Sequence, residues 1–309
     1  MKHFLITVVV IMAWSSAFAQ QEAMYTHYMY NTLAVNPAYA GTRDALTVTA
    51  LHRSQWVGFA GAPVTQTLTM HTPLRNKKIG IGVSIINDVI GPDRNTGFTV
   101  DYSYKLRINK EAQLALGLKA GLSLLKSNLA SLDIDDANDP VFNNDITSKL
   151  LPNFGFGAYY YTDRYYLGLS VPRLLENNYD NNTIEGSADL ISQGKHYYLI
   201  AGANFDLTDE IQFRPTSLVK MSSTAPIEVD ITAMFIYDNM FSLGIMGRSG
   251  DAVGILAGVM VLEQLEVGYS FDWSFANSTK VYNSGSHEIF VRYDFIYKNA
   301  ARIHSPRYF

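Results

Sequence analysis

The 309-residue chain contains no cysteine, which excludes disulfides, thiolate metal sites, cysteine nucleophiles and lipidation of an N-terminal cysteine. Charged residues are also scarce, at 17% of the chain against roughly 25% in soluble domains. Lys and Arg total 24 against 28 Asp and Glu, so the formal net charge is −4. This balance does not provide the basic surface that binding to nucleic-acid phosphates requires.

Long hydrophobic runs are missing beyond the first 19 residues. The longest apolar run, residues 252–262, ends at Glu263 and falls short of the ~18 residues that a membrane-spanning helix needs. Apolar residues nevertheless make up 48% of the chain, which includes 20 Tyr and 16 Phe. Such a chain folds either as a soluble β protein or as a membrane β-barrel, since only helices and closed barrels satisfy backbone polar groups in lipid.

Residues 1–19 have the pattern of a cleaved export signal. Lys2 provides a positive start, residues 4–14 form an apolar core, and Ala17 and Ala19 are the small residues of an A-x-A cleavage site. The alternative is an uncleaved membrane anchor, for which the apolar run is short. We therefore predict a cleaved N-terminal signal peptide and export.

Apolar and polar residues alternate with a period of two along most of the chain, as in β-strands. For example, Val100, Tyr102 and Tyr104 share one face of a segment, and Asp101 and Ser103 share the other. The alternating segments run for about 10–14 residues, which is long for a soluble sandwich but suits tilted membrane strands. Aromatic residues near segment ends would form interfacial girdles. These features favour a transmembrane barrel.

Turn signals divide the alternating region into about 14 strands, an even number as in bacterial outer-membrane barrels. The links tend to alternate between short turns and longer loops, such as residues 54–62 and 89–95. We therefore predict an all-β fold, a transmembrane antiparallel β-barrel of the bacterial outer membrane. Its strands are predicted at residues 44–53, 63–72, 78–88, 96–107, 111–127, 151–162, 164–172, 195–206, 210–222, 226–238, 240–249, 252–262, 264–275 and 285–297.

The segment before the first predicted strand is expected to occupy the periplasmic mouth of the barrel. Asn36 precedes Pro37 and is therefore restricted to extended or turn backbone, and Gly41 permits a positive φ. Both a simple entry turn and a plug or partner-docking element fit these residues. The predicted regions are the signal peptide 1–19, a periplasmic or plug segment 20–43, the barrel 44–298 and a C-terminal tail 299–309.

Two polar groups adjoin predicted long loops. Arg53, Gln55 and Trp56 begin the first loop, where Trp and Arg are common binding anchors but are equally ordinary at a membrane interface. A turn is predicted around Gly91 and Pro92. A loop folded over the lumen would use the polar residues beside this turn as a gate or to hold a cargo tail, although they would serve equally to stabilise the loop. These residues are Asn87, Asp88, Arg94 and Asn95.

Motifs for catalysis or metal binding are missing from the sequence. The acidic run from Asp133 to Asp139 does not form an EF-hand loop, because Asn138 replaces the required glycine, so a solvated loop is the better interpretation, with weak calcium binding as the alternative. The seven histidines show no metal-ligand spacing. Ser286 and His287 are neighbours and would face opposite sides of a strand. We predict a non-enzyme without catalytic residues, metal or cofactor.

Seven blocks of the sequence form a distinctive ordered set, the first of which begins at Tyr28 and ends at Gly41. The blocks are residues 28–41, 53–58, 61–67, 71–74, 87–97, 117–121 and 285–289. Together they resemble the PorP/SprF family of type IX secretion system outer-membrane proteins. The resemblance extends across essentially the whole chain after residue 19 and is weakest in residues 128–195.

The resemblance implies a non-catalytic outer-membrane barrel of Bacteroidota-type bacteria that takes part in type IX protein secretion. The implied partners are other type IX components, a secreted or gliding-motility surface adhesin as cargo, and outer-membrane lipid, but no nucleic acid. The alternatives are a passive diffusion porin and an outer-membrane lipid-modifying enzyme. The candidate partner-binding residues are Tyr28, Tyr30, Asn31, Asn36, Pro37, Tyr39, Arg53, Gln55, Trp56, Asn87, Asp88, Arg94 and Asn95.

Overall fold

The computed structural model describes residues 23–132, 145–179, 191–222, 225–275 and 283–296. The predicted signal peptide, the predicted C-terminal tail and the acidic run from Asp133 to Asp139 lie outside these ranges. The described helices are short: the α-helix α1 at Thr32–Val35, and 3₁₀ turns at Pro37–Tyr39 and Leu129–Ser131. None of the described helices is both long enough and apolar enough to cross a membrane.

Strands account for most of the described residues, because the period-two pattern repeats along the whole chain. Their bounds are β1 Leu46–Ser54, β2 Val64–Pro73, β3 Ile79–Ile90, β4 Asp93–Arg107, β5 Gln113–Ser127, β6 Ile146–Tyr161, β7 Tyr165–Val171, β8 Asn177–Tyr179, β9 Ile191–Gln193, β10 His196–Ala203, β11 Phe205–Asp206, β12 Ile211–Ser222, β13 Glu228–Tyr237, β14 Phe241–Arg248, β15 Ala252–Leu262, β16 Leu265–Ser274 and β17 Ser286–Phe295.

Fourteen of these strands form one closed antiparallel β-barrel. Each strand pairs with its neighbours in the chain, and the ring closes where β1 pairs with β17. On the opposite side β10 pairs with both β7 and β12. The short β11 continues β10 after a break at Asn204, and β8 and β9 pair only with each other. The predicted fold class and strand number are confirmed.

The predicted link at residues 89–95 is wrong. β3 runs to Ile90 and β4 begins at Asp93, so the two strands are joined by the tight turn Gly91–Pro92. The strands stay paired up to Ile90 and Asp93, and the Gly91 N–H donates to the Gly61 carbonyl at 2.9 Å. The polar residues near this turn interrupt the apolar pattern, which makes the sequence look like a loop although the backbone pairing continues.

The barrel has two distinct ends because its strands alternate in direction. The short-turn end carries the links at residues 74–78, 108–112, 162–164, 204–210, 238–240 and 263–264. The long-loop end carries the links at residues 55–63, 91–92, 128–145, 172–195, 223–227, 249–251 and 275–285. β1 starts and β17 finishes at the short-turn end. In bacterial outer-membrane barrels, short turns face the periplasm and long loops face outwards.

Burial along the strands is inverted relative to a soluble protein. Val100 and Tyr102 on β4 are 47% and 44% exposed, whereas the intervening Asp101 and the following Ser103 are both 0% exposed. The same inversion holds on β5, where Leu118 is 63% exposed and Lys119 is buried. Apolar side chains therefore face outwards, where lipid would cover them, and polar side chains face the lumen.

The outward apolar face generates a test of membrane insertion. Leu118→Lys places a cation in the apolar face of β5. The substitution is expected to cost about 2–4 kcal/mol of folding free energy in a bilayer, the cost of a lipid-facing lysine near the membrane midplane. Urea titration of the barrel in lipid vesicles measures this change. Leu118→Met is the matched control and should cost much less. Equal stability of the two variants would contradict a lipid-facing position.

Candidate functional site

The lumen of the barrel is occupied by the chain's own residues 23–42, called the lumenal segment. Tyr28, Leu33, Ala38 and Ala40 have no more than 1% of their surface exposed and belong to the main buried cluster together with side chains from the barrel wall. The segment spans the lumen from the long-loop end, where Thr26 contacts β17, to the short-turn end. It therefore reaches much further than the periplasmic mouth predicted from sequence.

The segment turns at positions that its sequence dictates. Asn36 has φ −135° and ψ 111°, the extended backbone expected before Pro37. Its side chain caps the following 3₁₀ turn by accepting from the Ala38 N–H at 2.9 Å, and it donates to the Ala158 carbonyl on β6 at 3.1 Å. Gly41 has φ +67°, and a Cβ there would lie 2.7 Å from the Gly80 Cα, so this position requires glycine.

A buried ionic clasp fastens the segment at the long-loop end. Arg53 on β1 lies 2.8 Å from the Asp272 carboxylate on β16 and 3.3 Å from the Glu288 carboxylate on β17. Glu288 accepts from the backbone N–H groups of Thr26 at 2.9 Å and His27 at 2.7 Å. The Thr26 hydroxyl donates to Asp272 at 2.5 Å and accepts from Arg53 at 2.8 Å. We call these five residues the clasp.

Wall donors bind the carbonyl groups of the lumenal segment further along its path. The Lys119 ammonium donates to the Leu33 carbonyl at 3.2 Å and lies 3.2 Å from the Asp101 carboxylate. Near the short-turn end, the Lys105 ammonium donates to the Gly41 carbonyl at 2.5 Å. Ser103 and Ser170 donate to the carbonyls of Ala40 and Val35. These contacts provide the partners that irregular buried backbone requires.

Aromatic packing fills the remaining space around the segment. The Tyr30 ring stacks on Phe290 with the centroids 4.3 Å apart, and the Arg292 guanidinium lies 5.0 Å from the centroid of the Tyr30 ring. Burial raises the pKa of Tyr28 to about 12, and burial likewise raises the pKa of Tyr30. The Tyr28 hydroxyl lies 3.0 Å from the Thr216 hydroxyl on β12.

A second ion cluster lies in the wall beside the clasp. Arg248 on β14 forms a bidentate pair with Asp230 on β13, at 2.9 and 3.0 Å. Glu228 and Asp251 lie 3.7 and 3.8 Å from the same guanidinium. Buried ion pairs of this kind contribute little net stability, but loss of one partner is costly because the other charge stays buried.

The structure places the predicted site residues of the lumenal segment inside the barrel, against its own wall. The Asn31 amide donates to the Thr67 hydroxyl at 3.2 Å. The Tyr39 ring packs edge-on against Tyr159 with the centroids 5.5 Å apart. Pro37 is buried within the 3₁₀ turn. Binding of another protein by these residues remains a prediction. The residues concerned are Tyr28, Tyr30, Asn31, Asn36, Pro37 and Tyr39.

The candidates near the first long loop differ in environment. Arg53 is buried in the clasp rather than in a loop, and Gln55 is also buried. Trp56 is half-buried with a positive φ of 50°, and its backbone N–H donates to the Ser286 hydroxyl at 3.1 Å. The β1–β2 loop is therefore fastened to β17. Arg53 holds the lumenal segment, which the sequence did not indicate.

The four candidates around Gly91 and Pro92 do not form a gate over the lumen. They lie on paired strands and divide between the two barrel faces. Asp88 accepts from the inward Thr65 hydroxyl at 2.5 Å, whereas Asn87 accepts from Thr96 on the outer face at 3.0 Å. Asn95 pairs with Asp88 in the strand register, and Arg94 is exposed. Of the thirteen candidates, the exposed Arg94 is the one most accessible at the long-loop end.

Sequence reasoning missed Thr26, His27 and Glu288 as parts of the candidate site. Asp272 lies in the predicted strand 264–275 and Lys119 in the family block 117–121, but the sequence assigns neither residue a site role. Arg53 pairs directly with Glu288 in the register of β1 and β17. Once that register is known, Glu288 is recognisable as a buried acidic partner of an inward arginine. The ring closure between β1 and β17 sets that register, and nothing local in the sequence encodes it.

No group of three or more metal-ligating side chains occurs among the described residues. Ser286 is buried towards the lumen, and His287 lies on the outer face with its Nδ1 2.6 Å from the Tyr269 hydroxyl. The two side chains therefore face opposite sides of β17, as their adjacency predicts. The described residues thus bring no nucleophile and base together at this position.

The clasp generates the first prediction for the site. Arg53→Met leaves the Asp272 and Glu288 carboxylates buried without their cation and is expected to cost about 3–5 kcal/mol of unfolding free energy. Chemical denaturation of the refolded barrel in detergent measures the loss. Arg94→Met, an exposed arginine at the same end, is the control and should change stability by less than about 0.5 kcal/mol. Similar effects would contradict the clasp.

The close approach of the segment to β5 generates the second prediction. A Cβ at Gly117 would lie 2.5 Å from the Ala38 Cα, so Gly117→Ala should displace the segment and cost about 1–3 kcal/mol. Gly247→Ala is the matched control, because a Cβ there meets nothing within 4 Å. Thermal unfolding and protease sensitivity of residues 23–42 are the measurements. Equal behaviour of the two variants would show that the segment is not packed against β5.

Known proteins that resemble this chain include one family and several solved structures. The family described as type IX secretion system membrane protein PorP/SprF matches residues 17–293. No curated protein sequence matches the chain.

Similar solved structures include Omp33 of Acinetobacter baumannii, with 9% identity, TM-score 0.47 and coverage of 82% of this chain and 100% of that chain. A FadL homologue of Pseudomonas aeruginosa has 14% identity, TM-score 0.46 and coverage of 84% and 93%. The CymD monoaromatic hydrocarbon channel has 12% identity, TM-score 0.48 and coverage of 87% and 93%.

The family match extends over both the lumenal segment and nearly the whole barrel, from β1 to within the last strand. It therefore includes the clasp residues and the wall donors that hold the segment. The chain belongs to the PorP/SprF family of type IX secretion system membrane proteins and has the fold of an outer-membrane β-barrel.

Proposed function

We propose that this protein is a closed, non-catalytic barrel of the type IX secretion system that binds another secretion component or an exported cargo protein. The observation that supports this function is the lumenal segment. It is held by Glu288 at one end and by Lys105 at the other, so it occupies the space that a diffusing solute or a threaded chain would need. Partner binding then takes place at the loops, turns and exposed rims of the barrel.

The location and cargo of the protein are further parts of the proposal. The outward apolar side chains fit contact with outer-membrane lipid, and the long loops would face the cell exterior. Export by a signal peptide at residues 1–19 and service to a secreted or gliding-type surface adhesin rest on the sequence pattern and on the family resemblance. Residues 23–42 would set the shape of the barrel mouths rather than form the binding surface alone.

The passive porin is the main competing function. A porin keeps a water-filled lumen, whereas here Tyr28, Leu33 and Ala38 are packed inside the barrel. The lipid-modifying enzyme is supported less, because Ser286 and His287 point to opposite faces of β17. No described feature favours either alternative over a closed binding component.

Conductance distinguishes the closed barrel from the porin. In planar bilayers the wild-type protein is expected to show few and small channel openings, because the lumenal segment blocks the lumen. Deletion of residues 23–41 should produce a steady open channel. Gly117→Ala, which displaces the segment without removing it, should give intermittent openings, and Gly247→Ala should match the wild type. Steady wild-type conductance would overturn the closed state.

Export measures the secretion role separately. A strain lacking this protein should retain type IX cargo in the cell, and the wild-type gene should restore its export. Each variant is compared at equal amounts of folded barrel, judged by heat-modifiable gel mobility of outer-membrane fractions. Normal cargo export in the deletion strain, together with steady wild-type conductance, would support the porin and overturn the secretion function.

A further inference from the structure

Exposed charges at the short-turn end are sorted by sign around the ring. The β2–β3 and β4–β5 turns, together with Arg107 at the end of β4, carry five exposed cations and a single exposed anion, Glu111. We call these two turns, with Arg107, the basic half-rim. Its cations are Arg75, Lys77, Lys78, Arg107 and Lys110.

The remaining turns on the far side of the ring have the opposite sign. The links β10–β12, β13–β14 and β15–β16 carry five exposed anions and no lysine or arginine, and we call them the acidic half-rim. The β6–β7 turn between the two halves is balanced, with Asp163 beside Arg164. The anions of the acidic half-rim are Asp206, Asp209, Glu210, Asp238 and Glu263.

The strand order places the two half-rims opposite each other. In the ring, β2 to β5 are separated from β10, β12, β13, β14, β15 and β16 by β6 and β7 on one side and by β17 and β1 on the other. The rim therefore has a basic side and an acidic side across its diameter. A charged surface of this form produces a field that orients an approaching protein.

These rim charges do not hold the fold together. Among the described residues, the ion pairs of the ten rim charges are limited to Lys77 with Asp44 at 3.8 Å, and the Lys77 side chain is 71% exposed. An exposed pair of this length contributes little stability. Several lumenal charges, by contrast, are buried in close pairs, such as Lys119 with Asp101 at 3.2 Å. The rim charges are thus available to another molecule.

We propose that the short-turn rim is a docking surface for a protein partner whose own surface carries an acidic region facing the basic half-rim and a basic region facing the acidic half-rim. The proposal rests on the proposed secretion function and specifies where a secretion component binds. Rotation of such a partner by half a turn would bring like charges together, so the rim selects one orientation. The partner would lie in the compartment that the short turns face, the periplasm.

Two other occupants have to be distinguished from this partner. Two copies in one membrane direct their short turns to the same side, so they cannot meet rim to rim, but the basic half-rim of one could contact the acidic half-rim of the next. Residues 297–309 follow β17 at this end and carry Lys298, Arg302 and Arg307 with no acidic side chain, so they form a second candidate.

Site-specific photo-cross-linking in the native host tests the docking surface. A photoreactive residue is introduced at Asn76 in the basic half-rim or at Thr208 in the acidic half-rim, with the full chain in its own membrane. The basic variant is Lys77→Glu with Lys78→Glu and Arg107→Glu, and the acidic variant is Asp206→Lys with Asp209→Lys and Glu210→Lys. The control exchanges Asp163→Arg and Arg164→Asp, which alters the same rim but conserves its charge.

The wild type and the control should yield the same cross-linked protein from both positions, and each reversal variant should lose about tenfold or more of it. Peptide mapping of the adduct should place acidic residues of the partner next to position 76 and basic residues next to position 208. Adducts that persist in both reversal variants would overturn the proposal. So would adducts with a second copy of this chain, or an internal cross-link to residues 297–309.

Export in the same strains separates this proposal from the proposed function. If the deletion strain loses export and both reversal variants restore it fully at equal barrel amounts, the rim proposal fails while the secretion function stands. If the deletion strain exports normally, the secretion function fails. Loss of export in the reversal variants but not in the Asp163 and Arg164 exchange supports both.

Discussion

The structure depends on one constraint: an irregular backbone enclosed within a membrane barrel must find a hydrogen-bond partner for its polar groups. The wall supplies acceptors at one end of the lumenal segment, where Glu288 receives two backbone N–H groups. It supplies cations further on, where Lys119 and Lys105 donate to carbonyl groups. The wall therefore places anions where the enclosed chain presents N–H groups and cations where it presents carbonyl groups. This explains why so many of the wall charges are buried.

This constraint links the inside of the barrel to its outside. Polar and charged side chains alternate with apolar ones along each strand. The alternation that directs Asp101 into the lumen therefore also directs Val100 and Tyr102 towards lipid. A closed ring leaves no free sheet edge along most of its length, and the lumen is taken by the chain itself. The surfaces left for recognition are the links at the two ends, where the short-turn rim carries exposed charges with one long ion pair among its described residues.

The strand positions could be read from the sequence, because period-two alternation and turn residues are local signals. The hairpin at Gly91 and Pro92 was predicted as a turn, but its length was overestimated, since Asn87 and Asp88 interrupt the apolar alternation without interrupting the pairing. Arg53 was recognised as a candidate from its neighbours Gln55 and Trp56. Its partners were not, because Asp272 lies 219 positions away in the chain and meets it only through ring closure.

The sequence by itself determined the strand segments, the inward and outward faces, the backbone conformations at Asn36 and Gly41, and the family, because each of these is encoded by neighbouring residues. Only the tertiary structure decided that the lumen is filled, that Glu288 and Lys105 hold its contents, and that the charged turns divide into two opposite halves. Those features depend on how the first and last strands join. Contacts between distant parts of a chain arise from the closed ring as a whole, so no local pattern specifies them.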